Sequence, residues 1–196
     1  MTPTDFKTNL TVKIDNDPWQ VIEFQHVKPG KGAAFVRAKL RNLATGAVVE
    51  SSYNPNTKME QAKIDRQNMQ YLYETDGMYA FMDNETFEQT ELSKEQLGDA
   101  LNFLIDNMMV KIMSFEGRIL GVDLPNTVIL QVTECEPGVR GNTATGATKN
   151  ATMQTGYSIK VPLFIEEGEY LSIDTRTGDY IQRASESDYQ TQFEDQ

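Results

Sequence analysis

The sequence predicts an all-β protein built as three small β-barrel domains, and three observations carry that expectation. Short runs of β-branched and aromatic residues recur along nearly the whole chain, each closed by a turn containing Gly, Pro, Asn or Asp. Only one stretch shows helical periodicity. The 196 residues divide at two polar, turn-rich breaks into β-rich segments of about 60 residues, the size of a small SH3-like or five-stranded oligonucleotide-binding barrel.

The first segment, 1–64, opens with a strand at Thr11 to Asp15, closed by Asn16-Asp17-Pro18. Trp19 to Val27 and Ala33 to Leu43 are two strands around Lys28-Pro29-Gly30-Lys31-Gly32, a hairpin signal. Thr45-Gly46 turns the chain into a strand from Ala47 to Tyr53, and the polar stretch 54–60 precedes the first boundary. The second segment, 65–126, has strands at Met69 to Tyr73, Met78 to Met82 and Thr86 to Leu92, with turns at Asp76-Gly77 and Asp83-Asn84. The helix is expected over Ser93 to Asn107. Ser93 is an N-cap with Gln96 three residues on, and Leu97, Leu101, Leu104 and Ile105 form a narrow apolar stripe suited to plugging one end of a barrel. Strands resume at Met109 to Phe115 and run, past Glu116-Gly117, to Val122, and Leu124-Pro125-Asn126 marks the second break. The third segment, 127–183, has strands at Val128 to Cys135, Tyr157 to Ile165, Tyr170 to Asp174 and Asp179 to Arg183, with a Gly-, Thr- and Ala-rich loop at 137–149. Residues 184–196 contain four acids, no basic residue and few apolar ones, and are expected to be a disordered tail.

Composition excludes several classes of function. Cys135 is the single cysteine and His26 the single histidine, which removes intrachain disulfides, four-cysteine zinc sites and multi-histidine metal sites. No catalytic residues and no metal ligands are therefore expected. No apolar run approaches the length of a membrane helix, and the N-terminus lacks a basic segment followed by an apolar one, so neither membrane nor secretion is expected and the location is cytoplasmic. Gly141 to Lys149 superficially suggests a phosphate loop. Its lysine comes two positions late, and a strand pattern rather than a helix follows.

The net charge of −11 is unevenly spread. Residues 1–64 carry nine basic and six acidic residues, a net of +3, while residues 65–196 carry nine and twenty-three, a net of −14. The window 24–49 contains no acid and five basic residues: Lys28, Lys31, Arg37, Lys39 and Arg41. Such an asymmetry between segments is a physical clue about partners, and the whole-chain charge hides it. At the hairpin tip Lys31 stands between Gly30 and Gly32 with no neighbouring side chain to crowd it, and Pro29 restricts the backbone before it. An amine at the end of a rod suits a narrow, phosphate-lined space; an ordinary solvated glycine-rich turn is the plainer reading of the pattern alone.

The residues His26-Val-Lys-Pro-Gly-Lys-Gly-Ala-Ala-Phe-Val-Arg37 resemble the modification loop of the bacterial elongation factor P family. Met82-Asp-Asn-Glu-Thr-Phe-Glu-Gln89 resembles the family's middle-domain segment. Glu136 to Ala144 and Thr155 to Phe164 resemble its C-terminal signature, and Asp174 to Gly178 its closing hairpin. The likeness runs in order from about residue 5 to residue 183. It implies an SH3-like (KOW-like) first domain followed by two oligonucleotide-binding-fold domains, in an L-shaped arrangement that mimics tRNA. It implies a monomeric factor that binds the ribosome, through ribosomal RNA and proteins, between the peptidyl-tRNA and exit sites. There it stimulates peptide-bond formation at consecutive prolines. Lys31 then positions the acceptor end of the peptidyl-tRNA, supported by Pro29, Gly30 and Gly32. In many members this position carries a covalent extension added by a modifying enzyme, and no other cofactor is implied. Lys28, Arg37, Lys39 and Arg41 are the RNA-binding residues, and the loop at Gly141, Asn142 and Thr143 is the contact to mRNA at the exit-site codon. The sequence departs from the family at Asn142, where Asp is usual, and at Asn150, where Pro is usual and whose loss is expected to loosen the loop. A general single-stranded nucleic-acid binder is the alternative. It needs basic grooves with stacking aromatics, and the net charge of −8 over 65–129 speaks against it. A small hydrolase is a more distant third, for want of a catalytic constellation.

Overall fold

A computed structural model describes residues 1–138 and 146–194. It contains three five-stranded antiparallel sheets, the all-β architecture expected. The chain forms two compact units, one of Met1–Arg66 with Met113–Leu120, the other of Gln67–Ile112 with Gly121–Gln196.

The first sheet comprises β1 (Thr11–Ile14), β2 (Asp17–Val27), β3 (Phe35–Asn42), β4 (Val48–Tyr53) and β5 (Glu60–Gln61), in the order β4-β3-β2-β1-β5. Alternation along β3 explains its orientation. Val36, Ala38, Leu40 and Asn42 are buried, while Phe35, Arg37, Lys39 and Arg41 face the other way. The buried face meets Phe6, Val12 and Val21, with Met1, Leu10, Ile14, Trp19, Tyr53 and Met59 packed around it. The segment Met113–Leu120 belongs to the same unit. Lys13 Nζ donates to Glu116 Oε1 at 2.8 Å, and Arg118 Nη2 donates to Asp17 Oδ1 at 2.9 Å and to the Asn16 carbonyl at 3.2 Å.

The second sheet comprises β6 (Asp65–Thr75), β7 (Met78–Met82), β8 (Gln89–Ser93), β9 (Met109–Phe115) and β10 (Arg118–Asp123). The third comprises β11 (Thr127–Cys135), β12 (Thr148–Met153), β13 (Ser158–Pro162), β14 (Tyr170–Asp174) and β15 (Tyr180–Ala184). Numbered from each sheet's own first strand, both follow the spatial order 3-2-1-4-5. Both also bulge at the same place in the first strand, between Tyr71 and Tyr73 and between Val132 and Glu134. The two segments are one module built twice.

The expected helix is present but shorter than its periodicity suggests. The capping box forms, with Gln96 N–H donating to Ser93 Oγ at 3.3 Å and Ser93 N–H donating to Gln96 Oε1 at 2.9 Å. The α-helical part, α1, covers only Lys94–Leu97, and a 3-10 turn continues over Gly98–Asn102. Gly98, at φ +53° and ψ −131°, breaks the helix. Of the apolar stripe, Leu97, Leu104 and Ile105 are buried and Leu101 is half-buried, and Phe103 beside them is buried as well.

The tail expected to be disordered is ordered over its described residues. Glu186–Thr191 form a second helix, α2, capped by Ser185 and Asp188, which exchange hydrogen bonds of 3.0 and 3.1 Å. Tyr189 packs its ring 4.8 Å from that of Tyr170 and 5.2 Å from that of Phe193. Gln192 both donates to the Ile129 carbonyl and accepts from the Ile129 N–H, at 2.8 and 3.1 Å, so its amide satisfies the stretch of β11 that β12 does not reach. Gln154 Nε2 donates to the Tyr189 hydroxyl at 3.0 Å. Low apolar content concealed this, because rings and side-chain amides do the holding.

Candidate functional site

Strands β2 and β3 pair from Trp19↔Asn42 out to Val27↔Phe35, and the connection 28–34 carries Lys31 at its centre. The core covers β3 as far as Val36 but leaves the paired end of β2 uncovered. On the core-facing side Phe24 and His26 lie opposite Ala38 and Val36, yet both are exposed, their rings in edge contact at 5.8 Å. Lys28, Gly30, Lys31 and Gly32 are exposed, and Pro29 is half-buried. Among the described residues, no hydrogen bond or ion pair involves 28–34. The two glycines differ. Gly32 sits at φ +108°, a conformation that L side chains rarely adopt, whereas Gly30 has no such backbone demand and a side chain there would meet nothing within 4 Å. The fold requires Gly32 and leaves Gly30 free.

Arg37, Lys39 and Arg41 form a ladder on one face of β3, as their spacing of two requires. The structure changes the electrostatic reading of this ladder. Lys39 pairs with Glu23 on β2 and Glu50 on β4, the two acids that bound the acid-free window in sequence. Arg37 Nε lies 3.9 Å from Glu50 Oε1, with both side chains more than half exposed, so the contact contributes little to stability. Arg37 and Arg41 are exposed and Lys39 is half-buried. Strand pairing thus sets two acids beside a stretch that has none in sequence, and it leaves the tip lysines, Lys28 and Lys31, clear of both.

Gly141, Asn142 and Thr143 lie outside the described residues. The chain on either side of that loop is tied together at Asn150 and Glu136. The Asn150 N–H and side-chain amide both donate to the Glu136 carboxylate, at 2.9 and 3.1 Å, and the backbone bond in particular holds that carboxyl below its ordinary range. Proline at 150 could not donate the first of these bonds. Lys149 is buried in β12 rather than opening a helix, which removes the phosphate-loop reading. Cys135 donates a weak thiol hydrogen bond to the Ile165 carbonyl at 3.7 Å. Among the described residues, no three His, Cys, Asp or Glu side chains are placed to hold a metal, and no helix is long and apolar enough to cross a membrane.

Sequence reasoning did not single out Phe87. It lies at φ +61° in the turn after β7 and is 71% exposed. The sequence placed it in a strand from Thr86 to Leu92, whereas the strand begins at Gln89 and Phe87 falls in the turn before it.

Comparison with known proteins covers nearly the whole chain. Residues 2–59 match the elongation factor P KOW-like domain, 64–122 its OB domain and 128–183 its C-terminal domain. Elongation factor P of Desulfitobacterium hafniense is 56% identical over 180 residues, 92% of this chain and 97% of that protein. That of Acetivibrio thermocellus is 56% identical over 179 residues, 91% and 97% of the two chains, and that of Symbiobacterium thermophilum 54% over 180, 92% and 97%. Among solved structures, eukaryotic translation initiation factor 5A from Methanococcus jannaschii matches 63% of this chain and 92% of its own, at 25% identity and a TM-score of 0.52. With three matching domains in order and full-length relatives above half identity, the chain belongs to the elongation factor P family of translation elongation factors.

Proposed function

We propose that the protein binds the ribosome between the peptidyl-tRNA and exit sites and restores peptide-bond formation at consecutive prolines, with Lys31 holding the acceptor end of the peptidyl-tRNA. The observation that carries this reading is the tip of the β2–β3 hairpin. A lysine stands at the exposed tip of a paired hairpin, and among the described residues no group binds it. Proline is a poor acceptor and a stiff donor, so the slow step suffers from misplaced reactants. Fixing the acceptor end in a reactive geometry lowers an entropic barrier by several kcal/mol, and no acid, base or nucleophile from the factor is needed. The Lys31 ammonium offers three donors to phosphate and hydroxyl oxygens. Lys28, Arg37 and Arg41 hold the arm on RNA, and Lys39 contributes less because Glu23 and Glu50 flank it. A covalent extension of Lys31 by a modifying enzyme would lengthen the same reach. The loop at 141–143 contacts the exit-site codon, and the protein acts as a monomer in the cytoplasm.

The test is translation in vitro of a message encoding several consecutive prolines, with protein purified from its native host so that any Lys31 modification is kept. The protein relieves the stall, and Lys31→Ala abolishes the relief with an unchanged thermal midpoint. An unrelieved stall, or a Lys31→Ala variant as active as wild type, overturns the reading. Peptide mass mapping across 26–37 in the same sample identifies the group on Lys31. Strong binding to free oligonucleotides without ribosomes would favour a general nucleic-acid binder, for which the interleaved acids on the β3 face make a poor groove.

A further inference from the structure

The molecule builds the same turn three times, once in each sheet. Asn42 to Ala47 joins β3 to β4, Asp83 to Glu88 joins β7 to β8, and Asp174 to Asp179 joins β14 to β15. In each, the N–H of the fifth residue donates to the carbonyl of the first, at 2.8, 2.8 and 2.7 Å. The N–H of the first donates to the carbonyl of the sixth, at 2.8, 2.9 and 2.9 Å. The first side chain accepts from the backbone N–H two residues on, 2.8 Å away in all three. The fourth residue is always Thr, and its hydroxyl accepts from the sixth N–H at 3.3 Å. The fifth position is left-handed each time, at φ +80°, +61° and +80°.

Two of the three turns place glycine at that fifth position, Gly46 and Gly178. The middle one places Phe87 there. Among the described non-glycine residues at positive φ, five of seven are Asn or Asp, which tolerate the region, and Phe87 is the only aromatic. The turn does not need a ring, since glycine completes it twice elsewhere in the same chain. The core does not use it either, because Phe87 is the most exposed of the large exposed hydrophobics, at 71%. A strained, outward-facing aromatic that neither turn nor core requires is the signature of a surface made for a partner. Its neighbours Glu85 and Glu88 are exposed carboxylates, and the surrounding segment 65–129 has a net charge of −8.

We propose that Phe87 is a docking anchor through which the second sheet binds a basic protein surface on the ribosome, its ring entering an apolar pocket rimmed by lysine or arginine. This rests on the ribosomal reading above. The ribosome presents both RNA and basic protein, and the charge selects between them. Carboxylates on either side of the ring repel a phosphate backbone and attract cationic side chains. The first sheet's cationic arm would then meet RNA while the second sheet's acidic turn meets protein.

Phe87→Gly separates this role from a structural one, because it installs the solution already used at Gly46 and Gly178. Its thermal midpoint is expected to equal or exceed that of wild type, while affinity for ribosomes stalled at consecutive prolines falls about tenfold, or 1.4 kcal/mol. A photoreactive benzophenone amino acid at position 87 should crosslink to a basic ribosomal protein. Wild-type affinity in Phe87→Gly overturns the proposal, as does a lowered midpoint, which would make the ring structural. Crosslinks to ribosomal RNA, or to a second copy of this chain, also overturn it. Should wild type itself fail to bind ribosomes, the ribosomal function falls first and takes this inference with it, an outcome visible in the reference sample alone.

Discussion

Two connections between antiparallel strands show how differently this chain treats its loops. The turn from Asp83 to Glu88 holds itself. Asp83 Oδ1 accepts from the N–H groups of Glu85 and Thr86, and Asp83 Oδ2 accepts from Gln67 Nε2 at 2.6 Å. Two backbone bonds close the ring, and Asp83 is largely buried. The connection 28–34 does none of this. No hydrogen bond of the described residues involves it, and its polar groups face water. A self-satisfied turn fixes its conformation before any encounter. An unsatisfied one keeps its donors for a partner and accepts an ordering cost on binding. The residues with the strongest functional reading, Lys28 to Gly32, fall in the second kind. Phe87 is an exposed ring on the first kind, and so is presented rigidly.

The largest effect tests the base on which both connections stand. Leu40, fully buried under the β2–β3 hairpin, should cost about 2–5 kcal/mol as Leu40→Ala, measured by denaturant unfolding, and proline-stall relief should fall with the folded population. Next comes the self-held type of turn. Asn42 accepts from Ala44 and Thr45 and donates to Asp17, all while buried, so Asn42→Ala should lose about 1–3 kcal/mol. No substitution at 28, 30 or 31 should approach that loss. In the turn after β7 the same contrast takes a pH form. Hydrogen bonds, first from the Glu85 N–H and then from Gln67, hold the Asp83 carboxyl below its ordinary range. Its contribution is therefore complete above the unfolded carboxylate pKa of about 3.9 and is lost as pH falls through the lower folded value. Asp83→Asn should flatten that acid limb of the stability curve, and a Lys31→Ala curve should overlay wild type.

Within the open connection, Gly32→Ala should cost about 1 kcal/mol because of its positive φ, and Gly30→Ala nothing measurable. A loss of stall relief in Gly30→Ala at full stability would then mark a steric limit set by the ribosome rather than by the fold. Smallest of all, Arg37→Ala should change stability by less than about 0.5 kcal/mol, since its contact with Glu50 is exposed and long. Its ribosome affinity should nevertheless become less salt-dependent.

Much of this was legible in one dimension, because strand alternation and turn chemistry are local. The period of two along Phe35–Asn42 places Arg37, Lys39 and Arg41 on one face, and the capping box at Ser93 and Gln96 forms as spaced. The length of α1 was not legible, since the leucine stripe continues past Gly98 while the backbone there leaves the helical region. Nor was α2, held on the third sheet by a stack of rings and by the amides of Gln192 and Gln154. Nor was the bond of Asn150 to Glu136, which is 14 residues away in sequence and adjacent only once β11 and β12 pair.

By itself, then, the sequence determined the all-β class, the concentration of positive charge in one arm and the isolation of Lys31 between glycines, because each depends on residues within a few positions of one another. Only the tertiary structure decided which cations stay available and which aromatic is exposed. Glu23 and Glu50 are set beside Lys39 by two different strand pairs, and Phe87 stands exposed in a turn that the core does not cover. Both are consequences of pairing and burial between residues far apart in the chain, which no local pattern encodes.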